Sequence, residues 1–328
     1  MVFLGTAGSA PTPRRGLPAA LIRADGLRIL VDCGEGTQHQ LLRSVGLPDL
    51  DAIFLTHYHL DHWLGLLGTL KSFDLRSRER PLRVLGPPGL RQLLKMMRPV
   101  IGRTGYPLDV HELDGDEVVR FDGFEVEAFR VDHRVLAYGY ALFEDERPGT
   151  FDAEKAEALG IPHGPERAQL HRGETVTFTR ADGETVTVEP HEVVGESRLG
   201  RSVVFSGDTA PCDATREIAA DADALVHEAT FLDADRERAI ETGHSTALQA
   251  AQVAADAGVR LLALTHLSTR YPPRDVRAEA RTVFPETVVP RDFQVLDLPV
   301  HGKPTLRDAA EGIRPEPLVP STAEQELL

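Results

Sequence analysis

Four short apolar segments of this chain each end on an imidazole or a carboxylate: "IFLTH" on His57, "FRVDH" on His133, "VVFSGD" on Asp208 and "LALTH" on His266. Each reads as a buried strand, and strand ends that share one edge of a sheet converge in space, which in α/β sheets is where ligands bind. The pattern therefore asks for a fold that gathers several strand ends at one place. The first segment continues as "THYHLDH", which adds His59, Asp61 and His62 directly behind His57. Imidazole and carboxylate suit zinc and similar first-row ions. Together the five imidazoles and two carboxylates supply enough donors for two adjacent metals sharing one carboxylate.

Each residue also has an ordinary reading. A lone His133 or His266 is more often structural or on the surface, and a lone Asp208 behind Gly207 is more often a turn residue or helix cap. The compact His-x-His-x-Asp-His cluster has no such ordinary reading in a chain of only 13 histidines. His39, His111, His163, His171, His191 and His301 lack comparable context and read as surface or loop residues.

Strands and helices alternate along the chain. Strands are predicted at 27–34, 52–57, 82–87, 124–133, 202–208, 224–229 and 260–266, and helices at 89–100 and 245–258, the second opening on a Ser/Thr cap and closing on Gly258. Residues 148–174, rich in charge, Gly and Pro, read as an excursion inserted in one domain spanning 1–301, and 302–328 as a disordered tail. Cys33 and Cys212 are too few for a disulfide framework, no secretory leader is legible, and no apolar run approaches the roughly 20 residues that span a bilayer. These features predict a cytoplasmic protein with no membrane attachment. The net charge of −15 argues against a general nucleic-acid binder, although 32 of the 36 basic residues are Arg, suited to phosphate, and several cluster at 71–83 and 91–103.

"THYHLDH" resembles the signature of the metallo-β-lactamase superfamily. "DCGEGTQHQLL" (32–42), "SGDT" (206–209), "HEAT" (227–230) and "GHST" (243–246) are similar to the motifs of the ribonuclease Z family within it. The resemblance covers about residues 1–300 and implies an α/β fold, an αββα four-layer sandwich. It also implies a zinc-dependent endoribonuclease that removes the 3′ trailer of precursor tRNA, leaving a 3′-hydroxyl, by attack of metal-activated hydroxide on the phosphodiester. Two zinc ions per subunit are implied, one on His57, His59 and His133, the other on Asp61, His62 and His266, with Asp208 bridging. Asp61 is the implied proton acceptor, His244 the residue that contacts the phosphate or protonates the leaving oxygen, and Glu228 its orienting partner. Ser245 and Thr246 also suit a helix cap, and Asp32 and Glu35 suit hydrogen bonding to ligands better than ligation. A homodimer is implied, with the excursion as an arm that grips tRNA.

Two stretches depart from the family pattern. The basic loop near the start reads "PTPRRGLP", with Arg14 and Arg15, and the arm carries Gln169 and His171 where lysines are usual. Two other readings therefore stand beside the nuclease. One is a sibling phosphodiesterase acting on another nucleic acid or a small diester. The other is a non-catalytic, metal-dependent RNA-binding protein.

Overall fold

The predicted strands form, but most stop two or three residues short of the apolar runs that suggested them. In the computed structural model, which describes residues 1–180, 183–300 and 302–308, the run ending at His57 is a strand only over Ala52–Phe54, and the run ending at Asp208 only over Ser202–Phe205. The remaining residues leave the sheet and turn across its edge, carrying the polar side chain with them.

The chain divides into two compact units. Of the described residues the larger holds 1–120, 126–142, 202–300 and 302–308 and contains two sheets. The first runs, in spatial order, Thr305–Arg307, Val295–Asp297, Val2–Gly5, Ala19–Ala24, Leu27–Val31, Ala52–Phe54, Leu82–Gly86 and Leu108–Glu112. It is antiparallel up to Leu27–Val31 and parallel beyond, so its last four strands end at one edge. The second sheet runs Thr287–Val288, Leu262–Thr265, Ala224–Glu228, Ser202–Phe205, Tyr138–Glu144, Phe124–Arg130 and Val118–Phe121, with its first four strands parallel. Alternation sets the two faces of the first sheet: Leu4, Leu21, Leu30 and Ile53 pack with Trp63, Leu66 and Leu70 of its helices. Helices Thr37–Ser44 and Leu90–Ile101 lie against this sheet, and Ala247–Ala257 and Pro273–Arg281 against the second. Helix Ala247–Ala257 is closed by a reciprocal Thr246–Gln249 capping box and by Gly258 at φ 68°.

The smaller unit holds residues 121–125 and 143–201. Helices Ala153–Ala158 and Pro165–His171 and the hairpin Val176–Thr179/Thr185–Val188 enclose a separate core of Ile161, Leu170, Val176, Phe178, Val188 and Val193. The excursion at 148–174 lies inside this unit. Its stem is a pair of backbone hydrogen bonds between Arg147 and Arg198, at 2.9 and 2.8 Å.

The tail corrects one expectation. Thr305–Arg307 is an edge strand paired antiparallel with Val295–Asp297, because three residues suffice to pair on an already formed strand without a sustained apolar period. The rest of the expected tail, 309–328, lies outside the described residues. Among the described residues no helix is long and apolar enough to cross a membrane.

Two glycines set the position of the "HLDH" segment. A Cβ on Gly65 would fall 1.9 Å from the carbonyl oxygen of Gly34, and one on Gly34 would fall 2.3 Å from that of Asp61. The chain at 33–34 and the helix start can approach only because both side chains are hydrogen. The obstructing atoms are backbone, so Gly65→Ala is expected to destabilise by about 1–3 kcal/mol. Urea unfolding should show a lower midpoint at an unchanged slope, and an unchanged midpoint would refute this account.

Candidate metal centre

Each of the nine candidate side chains lies at or just beyond the C-terminal end of a strand, or on or just after a short helix of the larger unit. His57 and His59 follow Ala52–Phe54, Asp61 and His62 lie on the short helix Leu60–Trp63, and His133 follows Phe124–Arg130. Asp208 follows Ser202–Phe205, Glu228 ends Ala224–Glu228, His244 follows helix Arg236–Thr242, and His266 follows Leu262–Thr265. Two of the turns are backbone outliers: Asp32 has φ 58° and His266 φ 55°, conformations that a non-glycine residue adopts only when its surroundings impose them. Gly8 makes room for the second, since a Cβ there would lie 2.7 Å from His266 Nδ1.

The donor atoms fall into two adjoining groups. One atom from each of His57, His59, His133 and Asp208 lies within 4.8 Å of the others, and the same holds for Asp61, His62 and His266. Asp208 Oδ2 joins the groups, at 3.8 Å from His57 Nε2, 3.3 Å from His62 Nε2 and 3.2 Å from His266 Nε2. His59 turns its Nδ1 inward, 3.0 Å from His57 Nε2 and 3.3 Å from His133 Nε2. All seven expected ligands are therefore brought together. His62 Nε2 is buried with no hydrogen-bond partner, aimed between Asp61 and Asp208. An orphaned imidazole nitrogen among converging carboxylate oxygens is what a cation site looks like from its donors, and the set fits a divalent metal.

The outward nitrogens of His57, His62, His133 and His266 are committed. His133 Nδ1–H donates to the carbonyl of Gly243 at 2.7 Å. His57 Nδ1 lies 3.0 Å from the hydroxyl of Thr56, which in turn donates to Asp32 at 3.0 Å. Asp32 also accepts from the Thr56 amide and from His62 Nδ1, each at 2.8 Å. The other side repeats this arrangement. His266 Nδ1 lies 2.8 Å from the hydroxyl of Thr230, which donates to Glu228 at 2.7 Å, while His244 Nδ1 donates to the other oxygen of Glu228 at 2.7 Å. These bonds fix the ring orientations and leave the inward nitrogens as acceptors.

Electrostatics follow from the crowding. Burial and neighbouring imidazoles push the basicity of His57 well down, so it is neutral, the form that binds metal. Burial opposes the charge on Asp208, but His266, His62 and His57 outweigh it and hold the carboxyl well below the usual carboxylate range. For His244 burial again works against charge, yet Glu228 beside it raises the imidazole to about 9.

The structure changes several assignments. Thr246 is the helix cap, while Ser245 donates instead to the Thr209 carbonyl at 2.7 Å and ties this loop to the one carrying Asp208. Glu35 is exposed and makes no hydrogen bond or ion pair among the described residues, because the turn at Gly34 and Gly36 points it away from the ligands that Asp32 supports. Arg15, expected to offer charge in the basic loop, is half-buried and donates to Thr6 and, at 2.8 Å, to the Pro290 carbonyl. The sequence alone does not mark Thr56, Thr230 or the Ser9 amide, which donates to Asp61 Oδ2 at 2.9 Å. The available signal was a threonine within two residues of an ionisable side chain at a strand end.

Residues 27–151 and 146–267 match the Beta-lactamase superfamily domain. The chain is 47% identical over 302 residues to the ribonuclease Z of Haloferax volcanii, covering 90% of this chain and 94% of that protein. It is 44% identical over 304 residues to the ribonuclease Z of Myxococcus xanthus, covering 92% and 98%. Among solved structures, human tRNase Z, short form, superposes with a TM-score of 0.65 at 28% identity, covering 91% of this chain and 99% of that one.

Asp32 touches two of the proposed ligand rings, one directly and one through Thr56, without facing the centre. Asp32→Asn is expected to lower metal affinity roughly 10- to 100-fold while the fold persists. Titration of the metal-stripped variant, with circular dichroism as the fold control, checks this; wild-type affinity would show that Asp32 does not orient the ligands.

Proposed function

The chain belongs to the ribonuclease Z family, and from that premise we propose that it is a zinc-dependent endoribonuclease that cuts the 3′ trailer from precursor tRNA. The observation that carries the reading is the meeting of all seven metal-ligand side chains around Asp208, backed by two hydrogen-bonded carboxylates. His57, His59 and His133 would hold one zinc, Asp61, His62 and His266 the other, and Asp208 both. Two cations held there would supply Lewis acidity toward the attacking water and the phosphoryl oxygens.

The protein groups do the rest. Asp61, oriented by the Ser9 amide, is placed to accept the proton of the attacking water. His244 keeps its Nδ1 on Glu228, which leaves Nε2 for the substrate, and as an imidazolium it can protonate the departing 3′-oxygen. The tRNA then keeps a 3′-hydroxyl and the trailer a 5′-phosphate. The smaller unit is read as the tRNA-gripping arm, the molecule as a homodimer, and its place as the cytoplasm, in keeping with two free cysteines of which Cys33 is fully buried.

Incubation of the purified protein with a 3′-extended precursor tRNA tests the reading. Cleavage at the tRNA end is expected, with close to two zinc ions bound per chain and complete loss after chelation. Asp61→Ala should lower kcat by 100-fold or more, about 3 kcal/mol, with precursor affinity nearly kept. A product map without that cut, or turnover by the Asp61→Ala protein near wild type, would overturn the assignment.

The architecture of the arm dictates how to remove it. Excising 148–174 alone would leave Val176, Phe178 and Val188 without Ile161 and Leu170, an exposed half-core. Joining Arg147 to Arg198 through a short Gly/Ser bridge removes the whole core at its stem. This variant is expected to hydrolyse a small chromogenic phosphodiester normally and to lose most precursor tRNA cleavage through a raised KM. Unchanged tRNA cleavage would contradict the arm reading.

A further inference from the structure

Where on so acidic a chain could a polyanion rest? In the smaller unit the stretch 143–201 carries seven basic against thirteen acidic side chains. Its arginines are largely engaged: Arg172 with Glu174, Arg180 with Glu184 and the Leu159 carbonyl, and Arg167 with the Ile161 carbonyl. Most cations of the first basic cluster of the larger unit are engaged as well. Arg78 is buried against Asp49 and the carbonyls of Leu50 and Pro81, Arg80 pairs with Asp51, and Lys71 with Asp74.

The second cluster differs. Residues 80–108 form the longest stretch of the chain without Asp or Glu, and they contain six basic residues. Arg91, Lys95, Arg98 and Arg103 line one groove of about 480 Å³, between helix Leu90–Ile101 and the edge strand Leu108–Glu112, floored by Leu94 and Val110. Among the described residues none of these four side chains has a hydrogen bond or ion pair. The neighbouring carboxylates are engaged elsewhere: Glu112 accepts from the amides of Gly89 and Arg91 at 2.9 and 3.0 Å, and Asp74 from Lys71 and the Gly105 amide. Asp109, between groove-lining Leu108 and Val110, belongs to the opposite face of its strand.

The start of this helix is tied to the metal-binding loop. Tyr58, between His57 and His59, donates its hydroxyl to the Pro87 carbonyl just before the helix. From there the helix carries Arg91, Lys95 and Arg98 over about 12 Å along its axis, and Arg103 follows its C-terminus. Four free cations in a row, with apolar surface between them, suit a phosphodiester backbone better than a single small anion.

We propose that this groove is a track for the RNA backbone where it leaves the metal centre. The proposal rests on the nuclease reading above. It is tested with a variant carrying Arg91→Gln, Lys95→Gln, Arg98→Gln and Arg103→Gln, measured on precursor tRNAs with short and long trailers over a range of salt concentrations. The expected result is a KM raised 10-fold or more and a salt slope shallower by roughly 2 to 3, since each single-strand phosphate that is no longer neutralised removes about 0.7 from it. A loss confined to the long-trailer precursor identifies the trailer as occupant; an equal loss with both identifies the tRNA body. A companion variant with lysine at the three arginine positions should keep the slope, which a mere packing defect would not allow.

An unchanged slope and KM would overturn the proposal. So would a parallel fall in small-diester turnover, which marks a damaged metal centre, or a change in sedimentation without a change in RNA binding, which marks a subunit contact. If the wild type does not cut precursor tRNA, the nuclease reading fails on its own. Binding of a labelled single-stranded oligoribonucleotide by wild type and variant then still decides the groove.

Discussion

Four of the imidazoles in the site depend on two buried carboxylates that do not face the centre. Asp32 and Glu228 are 4% and 2% exposed, and each is surrounded by donors: the Thr56 amide and hydroxyl and His62 for one, the Thr209 and Thr230 amides, the Thr230 hydroxyl and His244 for the other. A carboxylate so buried and left unpaired would cost several kcal/mol, so these networks tolerate little loosening. That rigidity is inherited by the imidazoles they hold. The two supporting networks, one at the edge of each sheet, are thus built to the same plan of carboxylate, threonine and histidine, with Asp208 between the imidazoles they hold.

The strained turns at Asp32 and His266 belong to the same logic. Five imidazoles and two carboxylates can share so small a volume only if several strands stop abruptly at one edge and their next residues turn sharply. The backbone reaches the left-handed region at both positions, and Gly8, Gly34 and Gly65 remove the side chains that would hold the approaching segments apart. Packing of the two sheets and their helices supplies the energy that keeps these turns in place, which is why the site lies on the edge of the larger core and not in the smaller unit.

Much of this was legible in the sequence because it is local. The apolar runs before His57, Asp208 and His266, the Thr246 cap with Gly258 at the far end, and the spacing of "THYHLDH" each express a short-range rule. What the sequence hid is long-range. Arg15 reads as a surface charge until it is seen bonding to Pro290, 275 positions away, and Arg78 reads as part of a basic face until Asp49 and Leu50 enclose it. The extent of the smaller unit was hidden for a related reason. Ile161 and Leu170 look unremarkable among Gly, Pro and charge, and become a core only when the hairpin Val176–Val188 folds back on them. Thr305–Arg307 likewise has too few residues for a period of its own and is a strand only because Val295–Asp297 is already there.

The same distinction bears on charge. A net −15 suggests repulsion of RNA, but at physiological ionic strength the Debye length is about 8 Å, so an acid on a distant face hardly acts on a phosphate in contact with an arginine. What matters locally is whether a cation is free. Most clustered cations of this chain are held by carboxylates or carbonyls, and for these the charge counted in the sequence is not available to a ligand. The row along helix Leu90–Ile101 is free, and it begins where Tyr58 joins the metal loop to the helix start. With the cations of the smaller unit and most of the 71–83 cluster engaged, this row is the densest group of unpaired donors in the two basic clusters that a polyanion can meet. Net charge sets the background, while the place where a phosphate can rest is a matter of which side chains are unpartnered, and four of these line this one groove.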